Sequence, residues 1–184
     1  VSVTMDAGYA AERFRVVVDG DHAGSTRFAG QSGVQTYVLA EGLGPGEHEV
    51  ELVKETYQGS DLVLHGLEVV GQQLLEAPPA APRRMEFYGD SNLAGYSLMS
   101  EQNQGGVALQ GCHFTFAGIT ARAFGADYHN ISVSGETLLG MTNLYDRRSW
   151  WDAQPSWDFA LHPADVVVMN LGANDIPYAS EETI

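Results

Sequence analysis

The stretch that decides the fold runs from residue 84 to residue 95 and reads RMEFYGDSNLAG. Its first half is apolar and aromatic, which predicts a short strand at 85–88 that leads directly into Gly89, Asp90 and Ser91. In an open α/β sheet, ligands collect beyond the carboxyl ends of the strands, so Ser91 stands where a nucleophile would face an active-site crevice. The alternative is an ordinary turn in which Ser91 is the N-cap of a helix.

Two later strands are predicted to end in similar loops. The segment 128–133 is followed by SGET at 134–137, and the apolar segment 165–171 (DVVVMNL) is followed by GAND at 172–175. A helical stretch near 113–124 separates the first two strands. Strands that alternate with helices predict a parallel sheet flanked by helices, so the three loops are expected at one edge of this sheet.

Two residues in these loops are candidate oxyanion donors. Acyl transfer needs hydrogen-bond donors aimed at the oxygen that becomes negative in the tetrahedral intermediate. Gly135 can offer its backbone N–H without side-chain obstruction, and Asn174 can offer its amide. Taken singly, Gly135 could be a turn residue, and Asn174 could cap a helix that Pro177 and the acidic residues after it predict.

The first seventy residues predict β structure instead. Segments rich in Val, Leu and aromatic residues alternate with glycine-containing turns, which is typical of antiparallel hairpins in a sandwich. These segments are 13–19, 35–40, 47–55 and 62–70. The prolines of 74–82 (LLEAPPAAP) then break the pattern. We therefore predict a small antiparallel β-sandwich domain at 1–71, a proline-rich linker at 72–82 and an α/β domain at 83–184.

The order of these motifs resembles the SGNH (GDSL-type) hydrolases. Gly-Asp-Ser, a glycine after the next strand and Gly-x-Asn-Asp match the first three blocks of that superfamily. The resemblance implies that Ser91 is the nucleophile and contributes a backbone N–H. It also implies that Gly135 donates a backbone N–H and that Asn174 donates its side-chain amide. No metal or organic cofactor is implied.

A second resemblance covers most of the chain. FRVVVDG, LGPGEHEVELVKET, the proline linker and RRMEFYGDS are similar to carbohydrate esterase family two, whose members join a small jelly-roll to an SGNH domain. These proteins are typically deacetylases of xylan and other plant polysaccharides. The resemblance implies a serine esterase that removes acetyl groups from carbohydrate through an acyl-enzyme intermediate. The alternatives are a carbohydrate-binding pseudoenzyme and a lipase or acyltransferase on the same fold.

The general base is the one part of the machinery that the sequence does not supply. In the resembled family it is a His in a late Asp-x-x-His block, and we expect it C-terminal to Ile184, in a domain that 83–184 represents incompletely. A second departure is Asn92-Leu93 after Gly-Asp-Ser, where many members have Ile-Thr. His129 and His162 do not match the family's position, and a structural role is the simpler interpretation of both.

Aromatic and acidic residues lie between the second and third motifs. The tryptophans are Trp150, Trp151 and Trp157, and the nearby aspartates are Asp146, Asp152 and Asp158. Indoles stack on sugar faces, but core or lid packing is the commoner use of three such side chains. A paired-carboxylate glycosidase is a weaker alternative, since the sequence offers no geometry for it.

Charge and composition exclude several other functions. The 24 Asp and Glu residues outnumber the 9 Lys and Arg residues, and the net charge is −15. Phosphate backbones and anionic membranes are bound by clustered cations, so neither nucleic acid nor a membrane is an expected partner. Cys112 is the single cysteine, so no disulfide can form within the chain. The oligomeric state and the compartment are left open, with secretion as one option.

Overall fold

The computed structural model describes residues 1–8, 11–58, 61–71, 73–147 and 155–176. The chain forms two compact units. The first comprises Val1–Pro78 and Met99–Gly111, and the second comprises Pro79–Leu98 and Cys112–Ile184. The chain therefore leaves the first unit, returns to it and leaves it again. The boundaries 1–71, 72–82 and 83–184 stay a prediction, and they differ from this division chiefly in the segment 99–111.

The first unit contains two antiparallel three-stranded sheets. In one, β1 (Ser2–Asp6) lies between β4 (Val34–Val38) and β6 (Val63–Glu68). In the other, β2 (Arg13–Val18) lies between β3 (Thr26–Ala29) and β5 (Val50–Lys54). The antiparallel pairing predicted from the sequence is confirmed, and the four predicted segments contain or overlap β2, β4, β5 and β6. The strands β1 and β3 are not among these predicted segments.

One hydrophobic core joins these two sheets. Val3 and Met5 of β1 and Phe14 and Val16 of β2 are all buried in the same cluster. Phe14 also stacks on Phe28 of β3, with ring centroids 5.4 Å apart. Burial of alternate side chains on β1 shows why its period-two pattern folds as a strand with one face inward.

The segment 99–111 is bound into the first unit by a buried charge network. The Glu55 carboxylate is fully buried and pairs with both Arg15 and Arg27. The Arg27 guanidinium also donates to the Ala108 carbonyl at 3.1 Å and to the Gln110 carbonyl at 2.5 Å. Buried ion pairs offset their desolvation only when further hydrogen bonds satisfy the charged groups, and Arg27 meets that condition through this segment.

The second unit contains a parallel three-stranded sheet. The strand β7 (Arg83–Gly89) lies between β8 (Ala126–Ser132) and β9 (Val166–Asn170) and runs parallel to both. Its helices are α1 (Ser91–Ala94), α2 (Phe116–Phe124) and α3 (Leu138–Met141). The predicted parallel sheet and its α/β class are therefore confirmed for the described residues.

The helix α2 connects β7 to β8 and packs on one face of the sheet. Met85 and Phe87 of β7 and Ala117 of α2 belong to one buried cluster. The helix begins later than the predicted 113–124 because Thr115 is its N-cap, with the Gly118 N–H 3.5 Å from the hydroxyl. The residues before Thr115 form a 3₁₀ turn. The helix ends, as predicted, at Gly125.

Some predictions lie outside the described residues. They are the helix after Pro177, the tryptophans Trp150 and Trp151, and the aspartate Asp152. Among the helices that the structure does describe, none has both the length and the apolar character that a membrane span requires.

Candidate active site

Gly89 is the last residue of β7, and its lack of a side chain brings the helix α1 close to the strand. A Cβ atom at Gly89 would lie 2.2 Å from Leu93 Cδ1 and 2.9 Å from Leu93 Cβ. Leu93 is fully buried, so it has little room to move away. The glycine of Gly-Asp-Ser is therefore required by the close approach of α1 to the strand end.

Asp90 is the N-cap of α1. Its Oδ1 accepts the backbone N–H of Asn92 at 3.0 Å and the Asn92 side-chain amide at 3.1 Å. The alternative in which Ser91 is the N-cap is therefore wrong, because the longer Asp90 side chain already satisfies the first turn.

Ser91 is the first residue of α1, directly beyond the carboxyl end of the central strand. Its carbonyl accepts the backbone N–H groups of Gly95 and Tyr96, each at 3.0 Å. Its hydroxyl makes no hydrogen bond to any residue that the structure describes, and the residue is half-buried. The hydroxyl is thus available for a reaction partner.

Asn174 connects the loops that follow all three parallel strands. Its side-chain amide donates to the Glu136 carbonyl at 2.9 Å and lies 3.4 Å from Asp90 Oδ2. The next residue, Asp175, accepts the Leu138 N–H at the start of α3 through both carboxylate oxygens, at 3.0 and 3.2 Å. The structure therefore brings the Asn174 amide against the neighbours of both Ser91 and Gly135.

Gly135 lies in the turn after β8, which a hydrogen bond from the Glu136 N–H to the Val133 carbonyl closes at 3.1 Å. Its φ of +84° is a conformation that residues with side chains adopt at a cost. Nothing lies within 4 Å of where its Cβ would be. Within the described ranges its N–H has no acceptor, so it too is available as a donor.

His129 and His162 of the second unit lie away from the strand-end loops. His129 of β8 is opposite Glu86 in the register, and its ring stacks on that of His162 with centroids 4.2 Å apart. Glu86 is three residues before Gly89, which is about 10 Å along a strand. Both histidines are therefore away from the strand ends where Ser91 lies.

The surroundings of His129 favour its neutral form. Burial lowers the pKa of His129, and the neighbouring His162 lowers it further, while Glu86 and Asp127 act in the opposite direction. Trp157 packs edge-on against the His129 ring, with centroids 5.4 Å apart. Trp157 thus belongs to this packed cluster, which agrees with the simpler interpretation of the tryptophans.

Of the described aspartates between the second and third motifs, Asp158 has a local structural role through its side chain, and Asp146 makes a backbone contact. Asp158 caps a 3₁₀ turn by accepting the Ala160 N–H at 3.0 Å. The backbone carbonyl of Asp146 accepts the Trp157 N–H at 2.6 Å. Neither contact pairs two carboxylates across a cleft, so the described residues give no support to the glycosidase alternative.

Comparison with known proteins gives matches over most of the chain. Residues 1–78 match the family model described as carbohydrate esterase 2 N-terminal. The chain is also 30% identical to the cellulase/esterase CelE of Acetivibrio thermocellus over 188 residues. That alignment covers 95% of this chain and 22% of CelE.

Solved structures agree with these sequence matches. A family two carbohydrate esterase from Clostridium thermocellum in complex with cellohexaose is 28% identical, with a TM-score of 0.81 over 97% of this chain and 57% of that one. An acetyl xylan esterase from the rumen bacterium Butyrivibrio proteoclasticus shares the fold at 21% identity, with a TM-score of 0.81 over 95% of this chain and 54% of that one.

The chain therefore spans about a fifth of the curated relative and somewhat more than half of the solved structures it matches. These matches cover 95–97% of this chain and thus extend over both of its units. The resemblance of this chain to the family two carbohydrate esterases, which belong to the SGNH hydrolase superfamily, is thereby confirmed.

Proposed function

We propose that this chain belongs to a serine esterase that removes acetyl groups from carbohydrate through an acyl-enzyme intermediate. The observation that carries the proposal is the convergence of three strand-end loops, which Asn174 joins through its contacts to Asp90 and Glu136. The relatives named as carbohydrate esterases and as an acetyl xylan esterase support the choice of substrate class. The proposal includes an SGNH-type sheet preceded by a jelly-roll-like β-sandwich.

In the first half of the reaction, Ser91 Oγ attacks the acetyl carbonyl carbon and gives its proton to a general base. The carbonyl oxygen becomes negative and accepts hydrogen bonds from the N–H groups of Ser91 and Gly135 and from the Asn174 amide. Collapse of this intermediate breaks the bond to the sugar oxygen, which takes a proton as it leaves. Water then attacks the acetyl-serine, which releases acetate and restores Ser91.

Asn174 must rearrange slightly for this role. An amide NH₂ group has two hydrogens, and one of them is engaged with the Glu136 carbonyl at 2.9 Å. The other faces Asp90 Oδ2 at 3.4 Å, a distance at which a hydrogen bond is weak. We therefore infer that the substrate oxygen replaces Asp90 as the partner of this second hydrogen. Glu136 holds the amide in place meanwhile.

The base is proposed to be a histidine beyond Ile184, as the family resemblance implies. Serine at its ordinary pKa is a weak nucleophile and needs such a base within hydrogen-bond reach. His129 and His162 are poor candidates because they are packed against each other and lie beside Glu86.

The test is Ser91→Ala in the whole protein, assayed for acetate release from acetylated xylan and from an aryl acetate. We expect turnover to be abolished and the thermal unfolding temperature to stay near that of the unaltered protein, because the Ser91 hydroxyl has no partner among the described residues. Retention of most activity would exclude Ser91 as the nucleophile. Faster release from long-chain aryl esters than from acetates would favour a lipase instead.

A further inference from the structure

Three potential metal ligands lie together beside the parallel sheet, two of them on its strands. Glu86 of β7 and His129 of β8 are direct neighbours in the register, and His162 lies in the segment just before β9. One ligand atom from each of these residues lies within 4.8 Å of the other two. Among the described residues this is the group of side chains that could hold a metal ion.

Glu86 has fewer partners than a buried carboxylate requires. Its side chain is 4% exposed, and its Oε2 accepts the Tyr88 hydroxyl at 2.9 Å. Its Oε1 faces His129 Nδ1 at 4.0 Å, which is too long for a hydrogen bond. Removing a carboxylate from water is costly unless it is paired or bound to a metal. A cation beside Oε1 would supply the missing partner.

His162 provides an independent observation. Its Nδ1 is buried and has no hydrogen-bond partner in the part of the chain that the structure describes. A buried polar atom without a partner normally costs about 1–3 kcal/mol. An imidazole nitrogen in its neutral form is a metal ligand, and an ion bound through Nδ1 would remove this cost.

The distances fit an ion after a small contraction. The three ligand atoms lie within 4.8 Å of one another, so an ion placed between them would be about 2.8 Å or less from each atom. Zinc is bound by histidine nitrogen at about 2.0–2.1 Å and by carboxylate oxygen at about 2.0–2.2 Å. Each ligand would therefore move inward by less than about 1 Å, with some retilting of the two stacked rings.

We propose that Glu86, His129 and His162 bind one divalent transition-metal ion of the zinc class. Two imidazole nitrogens and one carboxylate oxygen suit zinc, cobalt or nickel better than the hard, oxygen-preferring calcium and magnesium. Tyr88 holds the carboxylate through its hydroxyl, as outer partners of metal ligands commonly do. The site departs from the sequence analysis, which implied no metal.

The ion would have a structural role in the sheet. Its ligands come from two adjacent strands and from the segment that enters the third, so one ion would connect all three. The site lies about 10 Å before the strand ends, away from Ser91. The inference is therefore independent of the proposed esterase activity, and Ser91→Ala should bind metal as the unaltered protein does.

The experiment titrates the metal-free protein with Zn²⁺ by calorimetry and with Co²⁺ by visible absorption. We expect one ion per chain, d–d absorption bands typical of four- or five-coordinate cobalt, and a higher unfolding temperature. At a Zn²⁺ concentration of 100 times the Kd, the expected rise is about 5–10 °C. A protein that takes up no stoichiometric ion would overturn the proposal.

Matched variants locate the site. His162→Ala and His129→Ala should each weaken Zn²⁺ binding by at least about 100-fold, and Tyr88→Phe by about 10-fold. His65→Ala, which removes an exposed histidine of β6, should leave the affinity unchanged. Circular dichroism checks that each variant folds. Since His162 lies outside the strands, unchanged affinity in a folded His162→Ala variant would also refute the site.

Discussion

Replacing Asn174 with alanine separates a catalytic donor from a structural one. Loss of a single oxyanion donor typically lowers kcat by about 10²–10³, which is roughly 2.7–4 kcal/mol of barrier. The same change removes one part-buried hydrogen bond, to the Glu136 carbonyl, whose net contribution to stability is about 0.5–1.5 kcal/mol. In a domain of this size 1 kcal/mol lowers Tm by about 2–4 °C. We therefore expect a large loss of rate with a small loss of stability.

The assay is acetate release from an aryl acetate by the whole protein, with kcat and KM determined separately and Tm measured in parallel. The matched control is Asn92→Ala, because the Asn92 amide also donates to the Asp90 carboxylate, at 3.1 Å, but has no proposed contact with substrate. We expect nearly unchanged kcat in this control. If Asn174→Ala raised KM alone, or if both variants lost rate equally, the assignment of Asn174 as an oxyanion donor would be refuted.

Three further predictions concern the structure around the site and in the first unit. Gly89→Ala should destabilise the protein by about 1–3 kcal/mol and lower activity, because the new methyl group meets the buried Leu93 side chain; urea unfolding measures this. Glu55→Gln should cost roughly 3–5 kcal/mol by the same measurement, since it leaves two arginines without their buried anion. The Asp19 carboxylate, 2.8 Å from His48, raises the pKa of His48 above 6.5, and the His48 ring lowers the pKa of Asp19 below 3.8. The pair should therefore stabilise the fold most between pH 3.8 and 6.5. This stabilisation is lost as the pH rises through the folded-state pKa of His48, and also as the pH falls through the folded-state pKa of Asp19. An NMR titration of the His48 ring measures the first of these pKa values.

Each of these predictions has a control. Gly44 has open space around it, so Gly44→Ala should be nearly neutral, and a similar loss there would contradict the clash at Gly89. Glu51→Gln changes an exposed position of β5, the strand that directly precedes Glu55, and should change the stability by no more than about 0.5 kcal/mol. Asp19→Asn should return the His48 pKa toward its ordinary value; an unchanged titration would show that the hydrogen bond is not its cause.

Local sequence patterns predicted most of the strands and the class of the fold. The apolar runs at 85–88 and 165–171 predicted β7 and β9, because strands of parallel sheets are rich in apolar residues. In the structure β7 is buried from Met85 to Gly89, whereas four of the five residues of β9 are exposed. The strand β3 was missed because Arg27 is a charged residue in a short segment. Its partner Glu55 directly follows β5, so the neutralisation of the Arg27 charge cannot be recognised in the local sequence of β3.

The grouping of the candidate site residues was predicted from the geometry of parallel sheets, but the contacts among those residues were not predicted. Parallel strands bring their carboxyl ends to one edge, which is why Ser91, Gly135 and Asn174 could be grouped. A sequence does not specify side-chain distances of about 3 Å. It therefore could not predict that Asp90 caps α1 or that Asn174 joins two loops. Glu86 and His129 are neighbours only because of the register between β7 and β8, which the sequence does not specify. The presence of a charged residue, Glu86, within an apolar strand could nevertheless have pointed to a special role for it.

The return of 99–111 to the first unit limits how this protein can be dissected. A protein that ended at the proline-rich stretch would lack the Ala108 and Gln110 carbonyls to which Arg27 of the first unit donates. Since the polypeptide passes between the units three times, recombination could transfer either unit intact only together with the other. The two are therefore expected to be inherited as one module.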